Sequence, residues 1–217
     1  MIPSFESHSH LNPKNKWFLR TDIEKILKTY IPDLAPINIK LYQASVTHRS
    51  YLRLNRYPYS TKLNHNKAVV PLQAQCNERL EYLGDAEIYS AVAHYLYVRY
   101  PNQNEGFMSK LRIKLIKGNA LAKLARYMGL QEFLLISWHQ ERIGGRNSTN
   151  TLENALESFI GAVTMDWGPL VARELFIKAI EKHIDIAELI RTNTNYKDTL
   201  LQAYQQRGWG HPRYKPH

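Results

Sequence analysis

The stretch Asn77-Glu78-Arg79-Leu80-Glu81-Tyr82-Leu83-Gly84-Asp85-Ala86 sets Glu78, Glu81 and Asp85 at spacings i, i+3 and i+7. On an α-helix these positions share one face, so the carboxylates are held close together. Like charges at i, i+4, as in Glu81 and Asp85, cost about 0.2–0.5 kcal/mol in an isolated helix. Gly84 between them costs up to about 1 kcal/mol relative to alanine. A helix that accepts both penalties at one point invites an explanation. The helix is expected to run from Asn77 to Tyr100, with Leu80, Leu83, Ile88, Ala91, Val92 and Tyr95 on its apolar side and Pro101 as its stop.

A second segment repeats the pattern. Between Leu152 and Met165 a helix is expected in which Asn154 and Glu157 are i, i+3 neighbours and Gly161 lies one turn further on. Glycine removes the side chain that keeps two helices apart. Close packing of the two helices would set Glu81 and Asp85 against Asn154 and Glu157. Magnesium takes oxygen ligands at about 2.0–2.1 Å in near-octahedral geometry, which needs such an approach, and a cation would relieve the repulsion. The spacing fits equally well with exposed charges on amphipathic helices paired to lysine or arginine elsewhere, and periodicity does not separate the two.

Outward from these segments the chain reads as all-α. Residues 1–20 are expected to be a polar tail in which His8 and His10 bind nothing. Thr21 and Glu24 form a capping-box pattern ahead of Ile23, Ile26 and Leu27, and Pro32 and Pro36 end that helix. A short helix carrying Leu41, Ala44 and Ser45 leads to Thr47-His48-Arg49-Ser50, with His48 in a packing or helix-end role. Residues 52–75 hold Arg53, Arg56, Lys62 and Lys67 without an acid, and read as a basic insertion loop with Tyr57 and Tyr59. Lys110, Arg112, Lys114 and Lys117 are threaded among apolar residues of a helix that continues through Leu121, Leu124 and Ala125 to Gly129. Residues 139–150 read as a polar loop, and a last helix covers about 170–184.

Composition narrows the class of function. The 217 residues carry a formal net charge of +10, which favours an anionic partner such as nucleic acid or an acidic membrane surface. Cys76 is the single cysteine, which excludes a disulfide framework and a thiolate zinc site and points to a reducing compartment. No apolar run has membrane-spanning length, and the first residues make a poor presequence. A soluble intracellular protein is expected, cytoplasmic before mitochondrial or nuclear.

The signature stretch closely resembles that of the ribonuclease III family. Ser45-Val-Thr-His-Arg-Ser-Tyr51 upstream, Asn104 to Arg112 and Lys117 to Ala122 downstream, and Leu156 to Asp166 resemble further family blocks, in the same order, over about residues 40–185. The resemblance implies a ribonuclease III-type helical domain over 21–190 and a Mg2+-dependent endonuclease for double-stranded RNA, with Mn2+ as an alternative ion. It implies that Glu81, Asp85 and Glu157 are catalytic and bind metal, with Asn154 as a further ligand where the family usually has aspartate. Glu78 and Glu105 match supporting acids. Tyr82 matches an aromatic that packs into the other subunit of a homodimer. Lys110, Arg112, Lys114, Lys117 and Arg146 are candidate phosphate contacts. Residues 191–217 resemble only the opening helix and first strand of a double-stranded RNA-binding domain, so a truncated module is expected there. Asn154 and the incomplete module leave an alternative open: a non-catalytic RNA-binding scaffold, such as those ribosomal proteins of mitochondria that look like this fold.

Overall fold

The computed structural model describes residues 11–52, 69–191, 200, 204–205 and 207–212. Its described helices are α1 (Arg20–Tyr30), α2 (Ile39–Ser45), α3 (Glu78–Arg99), α4 (Glu105–Ile116), α5 (Gly118–Tyr127), α6 (Trp138–Arg142), α7 (Thr149–Trp167), α8 (Pro169–His183) and α9 (Ile186–Arg191). Among the described residues the extended pairings are the isolated bridges Thr47–Leu135 and Leu52–Gln73, so the all-α expectation holds.

Helix α7 is the centre of the arrangement. Leu152, Ala155, Leu156, Phe159, Ile160, Ala162 and Val163 are buried on its apolar side, and Glu157, Ser158 and Gly161 are buried on the other. A helix buried on all sides must be surrounded, and α3, α5, α8 and α2 pack on it. Ser158 Oγ, also buried, donates to the carbonyl of Ser45 at 2.6 Å and fastens the end of α2 to α7. Asp166 near the other end accepts from the backbone N–H groups of Ile37 and Asn38 and from the Tyr42 hydroxyl, each at 2.9 Å. The two anchors hold the middle and the C-terminal end of α7 against the α2 segment.

Several boundaries differ from expectation for identifiable reasons. Helix α1 starts at Arg20, where Asp22 rather than Thr21 and Glu24 supplies the cap by accepting from the Leu19 N–H at 3.2 Å. Lys117 leaves helical geometry, with φ −64° and ψ 141°, and divides the expected continuous helix into α4 and α5. Gly129, with φ +75°, ends the α5 region as expected, because that backbone is strained for residues bearing a side chain. Part of the expected polar loop at 139–150 is helical. Ser137 caps α6 by accepting from the Gln140 N–H, and that cap lies just upstream of the stretch read as a loop.

The polar tail expected over residues 1–20 is wrong for its second half. Phe18 is 1% exposed and stacks on Phe133 at 4.6 Å between ring centroids. Burying such a ring contributes about 1.5–3 kcal/mol. Asn12 and Asn15 are buried and donate to the Ile136 carbonyl, and Asn12 also donates to Glu141 at 2.9 Å. Their amides satisfy polar groups that a chain of apolar residues would leave unpaired. Residues 1–10 lie outside the described residues.

Of the expected insertion loop, residues 53–68, with Arg53, Arg56, Tyr57, Tyr59, Lys62 and Lys67, lie outside the described residues. Its far end is anchored: Tyr51 is buried and its hydroxyl donates to the Val70 carbonyl at 2.5 Å. The chain divides into two compact units after Ile184, where an expected boundary stood at 190. Asp185 begins the second unit by accepting from the Glu188 N–H at 2.9 Å, the cap of α9. Most of the residues that carry the resemblance to an RNA-binding module, 195–199, 201–203, 206 and 213–214, lie outside the described residues. Within that unit, Tyr204 and Trp209 meet edge to face at 5.5 Å.

Candidate active site

Helices α3 and α7 touch backbone to backbone at two glycines. A Cβ on Gly84 would overlap the carbonyl of Glu157 and stand 2.8 Å from the Gly161 nitrogen. A Cβ on Gly161 would overlap the Leu80 carbonyl and stand 2.9 Å from its carbon. The reciprocal fit explains why both glycines sit inside long helices despite their helix-weakening backbone. It brings the acids beside each glycine to one seam: Glu81 and Asp85 from α3, Glu157 from α7.

The electrostatics record that gathering. Glu157 is 8% exposed, and burial pushes its carboxyl up to about 8, with the charges of Asp85, Glu153 and Glu81 adding to the shift. Glu81 is raised by burial and by Glu78, Glu153 and Asp85, while a side-chain hydrogen bond with Asn154 acts the other way. Glu153 is raised by burial and then by Asp85. No cation answers these charges: among the described residues Glu81, Asp85, Glu153 and Glu157 form no ion pair. Glu81 Oε2 is buried and has no hydrogen-bond partner. An unpaired buried oxygen of this kind carries the full cost of its lost hydration.

Glu153 was not among the acids singled out in the sequence. The signal was present, since Glu153 and Glu157 are i, i+4 neighbours, the same repulsive spacing that drew attention to Glu81 and Asp85. The other expected residues divide. Glu78 is exposed and pairs with Arg49 at 3.7 Å, at the margin of the seam. Glu105 lies in the first turn of α4, accepts from Ser109 Oγ at 2.6 Å, and is not among the charges that raise Glu81, Glu153 or Glu157. Tyr82 is 83% exposed on α3, one residue from Glu81. His48 takes the helix-end role, its Nδ1 accepting from the Ser50 N–H at 3.1 Å.

The basic candidates also divide. Lys110 and Lys117 are exposed and Lys114 is half-buried. Arg112 lies over the Tyr89 ring at 4.2 Å, with its Nε buried. Arg146, expected at a phosphate, is turned into the protein instead. Its guanidinium, 14% exposed, donates to Glu141 at 2.9 Å, to the carbonyls of Gln131 and Leu134, and to Asn15 Oδ1. With its donors used inside the protein, nothing remains for an external anion.

The family model described as ribonuclease-III-like matches residues 38–184. A probable ribonuclease 3 of Acanthamoeba polyphaga mimivirus is 36% identical over 209 residues, covering 95% of this chain and 39% of its own length. Ribonuclease 3 of Chlorobium chlorochromatii is 33% identical over 177 residues, covering 82% and 66%. The chain thus spans less than two thirds of either relative. The nuclease domain of ribonuclease III from Campylobacter jejuni, described with flexibility in a region involved in dimer formation, superposes with a TM-score of 0.60 at 28% identity, over 74% of this chain and 97% of that domain.

Proposed function

We propose that this chain, which belongs to the ribonuclease III-like family, is an endonuclease that hydrolyses double-stranded RNA with the help of divalent cations. One observation carries the reading: the Gly84–Gly161 crossing gathers Glu81, Asp85 and Glu157, and among the described residues no cationic side chain pairs with them. A fold gains no stability from such crowding, and a bound cation would relieve it.

The donor set fits a hard divalent ion. Carboxylate oxygens are the ligands that magnesium and manganese prefer, and Glu81 Oε2 is a buried acceptor with no donor. Among the described residues no three His, Cys, Asp or Glu side chains stand arranged to hold an ion, so binding requires side-chain rotation. Glu81, Asp85 and Glu157 would hold the metal, with the Asn154 side-chain oxygen as a weaker, neutral ligand. Two such ions, when bound, supply activation of the attacking water and stabilisation of both apical oxygens at the phosphate.

The chain's own groups do the rest. Glu157 holds a proton at neutral pH in the absence of a cation and gives it up when one arrives, so binding is coupled to proton release. Asn154 orients Glu81 through their hydrogen bond. Lys110, Lys114 and Lys117 face the phosphates of a duplex read by shape and by 2′-hydroxyl and phosphate contacts. Tyr82 packs into a second copy of the chain, which gives the dimer one acidic centre for each RNA strand.

Digestion of long duplex RNA with magnesium, beside an Asp85→Asn variant, tests the proposal. The nuclease reading expects cleavage in the first sample and strong loss in the second. Intact RNA in both supports a non-catalytic scaffold instead.

A further inference from the structure

The acid that position 154 lacks has a neighbour. Glu153 precedes Asn154 on α7 and sits one turn before Glu157 on the same face. Its carboxylate lies against the bare α-carbon of Gly118, the first residue of α5. A Cβ there would stand 2.5 Å from Glu153 Oε2 and 3.0 Å from Cδ and Oε1. Gly118 therefore leaves the room that this carboxylate occupies. The carboxylate thus lies where α5 begins against α7, and the charge of Asp85 on α3 still acts on it. Half-buried, it makes no hydrogen bond or ion pair among the described residues. Its charge acts on Glu81 and Glu157 as that of Asp85 acts on it, and among the described residues it has no donor, so a side-chain rotation would let it share a ligand with them.

We propose that Glu153 supplies this chain's centre with the charged oxygen that Asn154 cannot, acting toward the same divalent cation as Glu81, Asp85 and Glu157, with Gly118 as the residue that admits it. The inference rests on the metal-dependent reading above. It explains how a neutral amide at position 154 is compatible with a working site: the negative charge is displaced by one residue along α7, not lost.

The test measures binding apart from cleavage. Mn2+ is titrated calorimetrically into the full chain and into Glu153→Gln, Gly118→Ala and Glu153→Gln/Asn154→Asp. Glu153→Gln relieves a repulsion and keeps the side-chain volume, so circular dichroism should show it folded. Its Mn2+ affinity should fall on the order of tenfold to a hundredfold. Gly118→Ala keeps the acid but displaces it, and should weaken binding in the same direction. Returning a carboxylate at 154 should restore much of the loss. Unchanged affinity in Glu153→Gln overturns the role of Glu153 and leaves the nuclease reading standing. Failure of the unaltered chain to bind Mn2+ overturns both.

Discussion

The backbone of Glu157 passes so near the α-carbon of Gly84 that no side chain fits between them, and Gly161 stands in the same relation to Leu80. The crossing therefore depends on both glycines together. Gly84→Ala should force α3 off α7, because the obstacle is a backbone carbonyl and not the end of a flexible side chain. A loss of about 3 kcal/mol is expected, the upper part of the usual range for overpacking. Urea denaturation of Gly84→Ala and Gly161→Ala measures it. Wild-type midpoints in both would mean that the helices do not cross here.

The acidity of Glu157 gives a pH dependence with a definite sign. Its folded carboxyl titrates near 8, against an ordinary 4.5. The folded state thus keeps a proton that the unfolded chain releases above pH 4.5. The stability from this group is full below pH 4.5 and is lost as pH rises through 8. Glu81 and Glu153 are shifted in the same direction. Metal-free protein should melt at progressively lower temperature between pH 5 and pH 8, and saturating Mg2+ at pH 8 should reverse the drop. Glu157→Gln should flatten the slope and weaken the response to metal. A melting temperature that rises with pH over this window would contradict the assignment.

The parts of this fold that could be read from sequence were those set by local rules. Glu81, Asp85, Gly84 and Gly161 stood out because each violates a helix preference, and such violations survive where tertiary structure needs them, while Glu157 was read from its spacing to Asn154 and from the family resemblance. Burial of Asn12, Asn15 and Phe18 could not be read locally. Their partners Ile136, Glu141 and Phe133 lie more than a hundred residues away in the chain, and the segment has no periodicity of its own. In sequence Arg146 is one more cation in a polar stretch: Glu141 stands only five residues before it, but Asn15 reaches it from the other end of the chain. Glu153 was legible in its i, i+4 spacing to Glu157, but it stands at no position that the family resemblance marks.

Position 154 should trade stability for affinity. The asparagine amide offsets part of the repulsion on Glu81. Asn154→Asp replaces that hydrogen bond with another negative charge at the seam. Without metal, its melting temperature at pH 8 should drop below wild type. With metal, Mg2+ affinity and cleavage of duplex RNA should rise, by about tenfold if the added ligand contributes about 1.4 kcal/mol. No gain on either measure would show that residue 154 does not face the cation.

Tyr82 carries a prediction about association. Its ring is 83% exposed on α3, so truncating it removes little packing within one copy of the chain. Tyr82→Ala should therefore unfold at nearly the wild-type denaturant concentration when dilute. Sedimentation velocity across a concentration series should show the dimer weakened on the order of tenfold or more, the scale expected of a buried aromatic anchor. An unchanged dimer would move the interface elsewhere.

Arg146 separates architecture from RNA binding most sharply. Glu141 is held below the ordinary carboxylate range although burial pushes it upward, because the hydrogen bonds from Arg146 and Asn12 outweigh that burial. Its stabilisation is present above the ordinary carboxyl pKa and fades as pH falls. Arg146→Ala strands a buried carboxylate and unties the carbonyls of Gln131 and Leu134, along with Asn15. The expected loss is about 3–5 kcal/mol, as for other buried pairs broken from one side. Arg146→Lys should recover little, since an ammonium cannot span partners set around a planar fork. A contact with duplex phosphate would behave otherwise: the fold would keep its denaturation midpoint, and the salt dependence of RNA binding would lose about one unit of slope. The structure predicts the first pattern, because a guanidinium enclosed by Glu141, Asn15 and the two carbonyls has no free face to turn toward RNA.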